Sequence, residues 1–168
     1  MELLDIYDQN GHMTGKTVER GKQNQVLNDN EYVAIAQIYI ENKHGDFLIE
    51  ESAKNTDEKY VPVGGHLAHG ETATETIIRE AKEELGFAIP KEKLVNLGFI
   101  VSNKRVRNLF YLNADINLQE LVLQNSEVKS VSYMSIDTIK DLIYKGLMRP
   151  SQKLLLERVI NYKKDSKI

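Results

Sequence analysis

Three glutamates, Glu80, Glu83 and Glu84, stand at i, i+3 and i+4 in a stretch whose apolar residues repeat with helical spacing. On a helical wheel, Ile77, Ile78, Ala81 and Leu85 share one arc, which must face a core. The glutamates fill a neighbouring arc as adjacent carboxylates. No lysine interrupts them; Lys82 points to the opposite side, and only Arg79 flanks the cluster. Like charges at these spacings cost about 0.2–0.5 kcal/mol each on an exposed helix. A solvated acidic face is one reading, although such faces usually interleave opposite signs. The other is a seat for a hard dication, Mg2+ or Mn2+, which takes oxygen ligands and reverses the sign of the repulsion.

The elements that must position this cluster support the second reading. Gly64, Gly65 and Gly70 form a loop in which backbone can approach whatever the carboxylates hold. Glu71 sits just outside the helix N-terminus, where the dipole favours an anion. Thr72 and Glu75 make a capping box, and Gly86 occupies the C-terminal stop. Upstream, the spacing predicts a hairpin through LDIYDQNGHMTGK, turning at Asn10-Gly11, and a polar connector over residues 17–31. A strand covered on both faces runs from Tyr32 to Ile40, and a second from Asp46 to Glu51. Downstream come strands at 94–102, 105–116 and 128–134, then helices over 136–145 and 150–162. In the last helix, Leu154, Leu155 and Val159 form the stripe expected to face the core. A mixed sheet with helices packed on it is the economical arrangement, in the α/β (α+β) class, with residues 1–168 as one domain.

The segment GHLAHGETATETIIREAKEELGF, Gly65 to Phe87, resembles the Nudix box, G-x5-E-x7-R-E-U-x-E-E-x-G-U, where U is a bulky aliphatic residue. Gly65, Glu71, Arg79, Glu80, Glu83, Glu84 and Gly86 fall on its fixed positions, and Ala81 and Phe87 on the two U positions. The resemblance implies an α/β/α sandwich and a hydrolase that cuts a diphosphate linkage with water. It implies Glu83 and Glu84 as metal ligands, and Glu80 as a third ligand or the group activating water. A backbone carbonyl around Gly64 and Gly65 completes the site, with Gly65 taken as the ligand. Glu71 and Arg79 match positions that hold loop and helix in place. One or more Mg2+ ions, or Mn2+, are the implied cofactor.

Outside the box, Glu127 opens the strand at 128–134, where many members of the family place a carboxylate that reaches the metal or acts as base; a solvated loop glutamate is the alternative. Arg105 and Arg107, beside Lys104, are candidates for substrate phosphates, against the alternative of a solvated hairpin tip. His66 and His69 read as loop or substrate-edge residues, since a hard oxygen site has little use for imidazole. Glu50-Glu51 departs from a frequent family pattern, in which a basic residue ends that strand. The N-terminal lead-in is similar to that of the isopentenyl-diphosphate-isomerase-like branch. The isomerase needs a cysteine, and this chain has none.

The remaining composition excludes more than it selects. Without cysteine there are no disulfides, thiolate ligands or cysteine nucleophiles. A net charge of −3 gives no electrostatic footprint for nucleic acid or an anionic membrane. The opening MELLDIYDQNG has neither a basic n-region nor an apolar h-region, so a cytoplasmic location is expected. No D-x-D-x-D-G loop suggests a calcium hand. Marks of particular substrate subgroups are missing: Ser102 stands where one has proline, and Asn103, Lys104 and Arg105 where another has tyrosine. The expected partner is therefore a small nucleotide or other diphosphate, with a homodimer left open. A binding module that has lost catalysis is the competing class, disfavoured because Glu80, Glu83, Glu84 and Arg79 are intact.

Overall fold

A computed structural model describes residues 2–166, so the outermost residues of the expected 1–168 span lie outside the described residues. The chain opens with the hairpin β1 (Leu3–Tyr7) and β2 (Met13–Glu19), paired antiparallel. Asp8 closes its turn by accepting from the N–H groups of Asn10 and His12, and Gly11 adopts φ +79° there. The connector expected over 17–31 begins later than its polarity suggests. Thr17, Val18 and Glu19 belong to β2, because Val18 is buried against Leu4, Ile6 and Val33. A single helical turn, α1 (Gln23–Val26), follows.

The main sheet is built around β3 (Val33–Glu41), all nine of whose residues are buried, as a strand apolar on both parities requires. On one side β3 runs parallel to β8 (Arg105–Asn113), which pairs in turn with β7 (Val95–Ser102). On the other side two strands share its edge. β6 (Val63–His66) takes the stretch from Ile35 to Ile38, while β4 (Phe47–Ser52) meets β3 at Glu41. β4 therefore peels away from β3, carrying β5 (Tyr60–Val61) and β9 (Val128–Met134) with it. A cleft opens where β4 and β6 diverge.

Helices cover both faces of the sheet. On one, α2 (Ala73–Leu85) buries Ile77, Ala81 and Leu85 against Ala34, Ala36, Ile38 and Phe110. On the other, α3 (Ile136–Tyr144) and α4 (Gln152–Asp165) bury Ile139, Leu155 and Val159 against Tyr39, Phe47 and Leu109. Each buried isoleucine, leucine, valine or phenylalanine among them contributes roughly 1.5–3 kcal/mol on removal from water. The expected α/β/α sandwich with a mixed sheet and a hairpin extension is what forms. One residue of the α4 stripe is misplaced, however. Leu154 is 57% exposed, and Leu156 takes its place in the core, because Gln152, Leu155, Leu156 and Val159 are the residues sharing the sheet-facing arc. Strand β8 also ends three residues before the expected Ile116. Among the described residues, no helix is long and apolar enough to cross a membrane.

The box loop is more regular than its glycines suggest, since Gly64 and Gly65 lie inside β6. A Cβ on Gly64 would stand 2.3 Å from the backbone oxygen of Ala36, so only glycine lets β6 pair this closely with β3. Replacing Gly64 by alanine is expected to destabilise the fold by about 1–3 kcal/mol, the usual cost of forcing extra volume into a packed site. A urea midpoint equal to that of the wild type would contradict this account of the strand.

Candidate active site

The helix that carries the glutamates is held at both ends by the residues its sequence provides. Thr72 accepts from the Glu75 N–H while Glu75 accepts from the Thr72 N–H, at 3.1 Å each, and Gly86 stops the helix at φ +68°. Its position against the loop is fixed by Arg79. The guanidinium grips Glu71 in a bidentate pair, Nε to Oε2 at 2.7 Å and Nη2 to Oε1 at 2.9 Å. The same group reaches Glu80 at 3.0 Å, Glu83 at 3.1 Å and the backbone oxygen of His66 at 3.3 Å. Glu71 also accepts from the Thr76 hydroxyl and the Ala68 N–H. Arg79 above all, with these donors, holds the Glu71 carboxyl down at about 2.

Glu80, Glu83 and Glu84 line one end of the cleft with Glu50 and Glu127, beside Gly64 and Gly65. Glu84 is 7% exposed and accepts from the Gly64 N–H at 3.3 Å. Glu50, from β4, is 2% exposed and lies against Glu84; its Oε2 is buried without a hydrogen-bond partner. Burial raises the pKa of both: for Glu50 the neighbouring Glu84 and then Glu80 add to it, and for Glu84 Glu80 adds to it while the Gly64 N–H and the contact with Glu50 pull the other way. Burial likewise raises Glu80, against the pull of Arg79. Glu83 is more exposed, and Glu127 pairs with Lys54 at 3.0 Å from the turn before β9.

In the sequence Glu50 reads only as a departure from a family pattern, with no role in the site. The structure brings it to the centre, because β4 leaves β3 at Glu41 and turns Glu50 toward α2. Its signal in the sequence was a carboxylate ending an otherwise apolar strand, FLIE.

This donor set suits a hard dication by chemistry. It is all oxygen, includes a buried oxygen without a partner, and adjoins a glycine whose Cβ would lie 2.3 Å from Glu80 Oε1. As they stand, no three acidic or histidine side chains among the described residues converge as ligands. Arg79 balances Glu80 and Glu83, whereas burial and then Glu84 raise the pKa of Glu50.

The other end of the cleft is basic, lined by Arg105, Arg107 and Arg149. The hairpin-tip alternative does not hold for Arg107, which is 1% exposed inside the sheet-facing wall. The cleft spans about 530 Å³ and also admits Glu2 and Arg20 of the N-terminal segment, which pair at 2.8 Å. His66 lines it too; burial, then Arg20 and Arg105, lower its pKa to about 4, so its ring is neutral. His69 instead meets Asp5 of β1 at 2.7 Å, while the other Asp5 oxygen accepts from the Gly70 N–H. The hairpin thereby braces the loop ahead of α2, a contact no local pattern announces.

With this geometry in view, comparisons with known proteins agree. A family model described as NUDIX domain matches residues 31–158. An uncharacterized Nudix hydrolase of Listeria innocua is 27% identical over 154 residues, covering 89% of each chain. The crystal structure of DR0079 from Deinococcus radiodurans superposes with a TM-score of 0.69 at 19% identity, over 86% of this chain and 90% of that one. The NUDIX domain of Shewanella oneidensis NrtR, solved with ADP ribose, gives 0.63 at 11% identity, over 86% and 99%.

The Glu71–Arg79 pair sets a pH dependence. A carboxyl held near 2 in the fold and near 4.5 when unfolded contributes stability above about pH 4.5 and loses it as pH falls toward 2. Glu71→Gln is therefore expected to cost about 1–3 kcal/mol at neutral pH. It should also flatten the acid-unfolding curve in that window. Parallel acid titrations followed by circular dichroism check this; identical slopes for both proteins would contradict it.

Proposed function

The chain belongs to the Nudix family, and we propose that it is a dication-dependent pyrophosphohydrolase acting on a nucleoside diphosphate linked to another moiety, or on a related nucleotide. The observation that carries this reading is the buried contact between Glu50 and Glu84, with Glu80 alongside, at the end of a polar cleft. Buried carboxylates in mutual contact are costly, and a bound cation is the natural compensation.

Glu80 and Glu84 are the proposed side-chain ligands, with Glu83 at their solvent edge and Glu50 completing the set from β4. Gly64 turns its N–H toward Glu84 rather than β3, and in an antiparallel ladder the carbonyl of such a residue faces the same way. The backbone ligand in this proposal is therefore the Gly64 carbonyl, with Gly65 providing the close approach to Glu80. When bound, Mg2+ or Mn2+ would polarise the diphosphate oxygens and lower the pKa of an attacking water. Glu127 is the proposed proton acceptor, steered by Lys54. Glu71 and Arg79 position the glutamates without touching substrate. Arg105 and Arg107 face the substrate from the far wall. No step calls for a covalent enzyme intermediate, which suits phosphoryl chemistry governed by positioning and electrostatics.

The test is hydrolysis of a panel of nucleoside diphosphate-linked compounds and nucleoside triphosphates, with Mg2+ or Mn2+ at mildly alkaline pH. At least one class should be cleaved, and chelation should abolish turnover. Glu84→Gln should need far more dication, and Glu127→Gln should lower kcat by about 10²–10⁴-fold with little change in melting temperature. Wild-type turnover by Glu84→Gln at low Mg2+ would remove the ligand assignment. A panel left uncleaved under every condition would point to a binding module instead.

A further inference from the structure

The basic end of the cleft is not explained by a diphosphate bound among the glutamates. Arg105 and Arg107 alternate along β8, opposite Val33 and Ile35 of β3, and so point to the same face of the sheet. Arg149 joins them from the turn before α4, where the backbone bond from Tyr60 to Leu147 ties that turn to β5. Among the described residues only Glu58, paired with Arg149 at 2.9 Å, offsets the three guanidiniums. Two positive charges are left unbalanced.

Arg107 is the extreme member. It is 1% exposed, and both its Nε and one terminal nitrogen lack any partner. Burial, then Arg149 and Arg105, lower its pKa to about 10, so it remains a cation near neutral pH. A buried guanidinium without an acceptor is strongly unfavourable and calls for a role outside the fold's own stability. Among the described residues none of the cleft glutamates reaches it; they are engaged with Arg79, Lys54, Arg20 and one another. Among the described residues, the cleft lining holds no phenylalanine, tyrosine or tryptophan on which a base could stack.

We infer that Arg105, Arg107 and Arg149 form a second anion subsite, which seats a phosphate monoester on the part of the substrate remote from the diphosphate that is cut. A monoester carries about −1.5 to −2 charges at neutral pH, matching the two unbalanced charges, and supplies the acceptor oxygens that Arg107 lacks. The inference rests on the hydrolase reading for its account of the other end of the cleft. It makes Arg107 a specificity determinant: the enzyme distinguishes diphosphates with a distant phosphate from those without one.

Two arms test it. In the first, paired compounds that differ only by a remote phosphate are compared, NADPH with NADH and coenzyme A with its 3′-dephospho form. Wild type should favour the phosphorylated member by about 10–100-fold in kcat/KM, the worth of a charge-assisted hydrogen bond or two. Arg107→Met and, independently, Arg149→Gln should each collapse that ratio toward one. If the arginines instead grip the cleaved diphosphate, both members of a pair lose rate equally and the ratio survives, which overturns the proposal.

The second arm uses no turnover. Melting temperatures are measured in EDTA with inorganic phosphate, against chloride of equal ionic strength. Phosphate should stabilise wild type and not Arg107→Met, while Arg107→Met should itself melt higher than wild type without phosphate. An Arg107→Met protein that melts lower, with wild type indifferent to phosphate, would assign the arginine to structure and sink the subsite. Phosphate stabilisation in a protein that cleaves nothing would keep the subsite and remove the hydrolase reading.

Discussion

One guanidinium determines how the site is assembled. Arg79 touches the loop ahead of its helix through Glu71, the strand β6 through the His66 carbonyl, and two helix carboxylates through Glu80 and Glu83. Without it, three carboxylates on consecutive turns would repel one another, and the glycine-bearing strand would have no fixed distance from the helix. Arginine suits this place where lysine would not, because its planar fork satisfies Glu71 in two bonds and still has donors to spare. The bidentate geometry also orients the helix about its axis. That orientation sends Glu84 toward Gly64 and Glu50 rather than into solvent.

Beyond its ion pairs, the cleft leaves groups of opposite sign unjoined. Acidic groups from α2, β4 and the turn before β9 gather at one end, and arginines from β8 and the turn before α4 at the other. Each end contains a buried group, Glu50 or Arg107, with an unpaired polar atom. A fold selected only for stability would have joined or replaced them, since a buried polar group without a partner costs about 1–3 kcal/mol. A cation at one end and an anion at the other compensate both. A metal-bound diphosphate that carries a further phosphate has that shape of charge.

What the sequence discloses about this arrangement follows how local each determinant is. The capping of α2 by Thr72 and Glu75, its stop at Gly86 and its buried face are set within 15 residues, and they stand in the structure as they read. Strand β3 is legible for the same reason, being apolar on both parities. The segment Val63–His66 reads as loop because two of its four residues are glycine, and only pairing with β3 makes it a strand. Glu50 and Arg107 look like surface charges on strand ends. Their burial depends on where β4 parts from β3 and where α4 begins, which no short window contains. The leucines of α4 show the same limit: Leu154, Leu155 and Leu156 are chemically alike, and the facing sheet decides which two are core.

The chemistry of the cleft depends on whether its acidic end holds a dication in place of protons. Calorimetric titration of metal-free protein with Mn2+ near neutral pH, in two buffers of different ionisation enthalpy, measures both the binding and the protons released. Because burial raises Glu50 and Glu84, the folded protein should hold a proton between them. Mn2+ should therefore bind with release of about one proton per ion, since ligating carboxylates must be deprotonated. Release should fall as the pH is raised. No binding, or binding without proton release at any pH, would contradict the placement of the metal among these carboxylates.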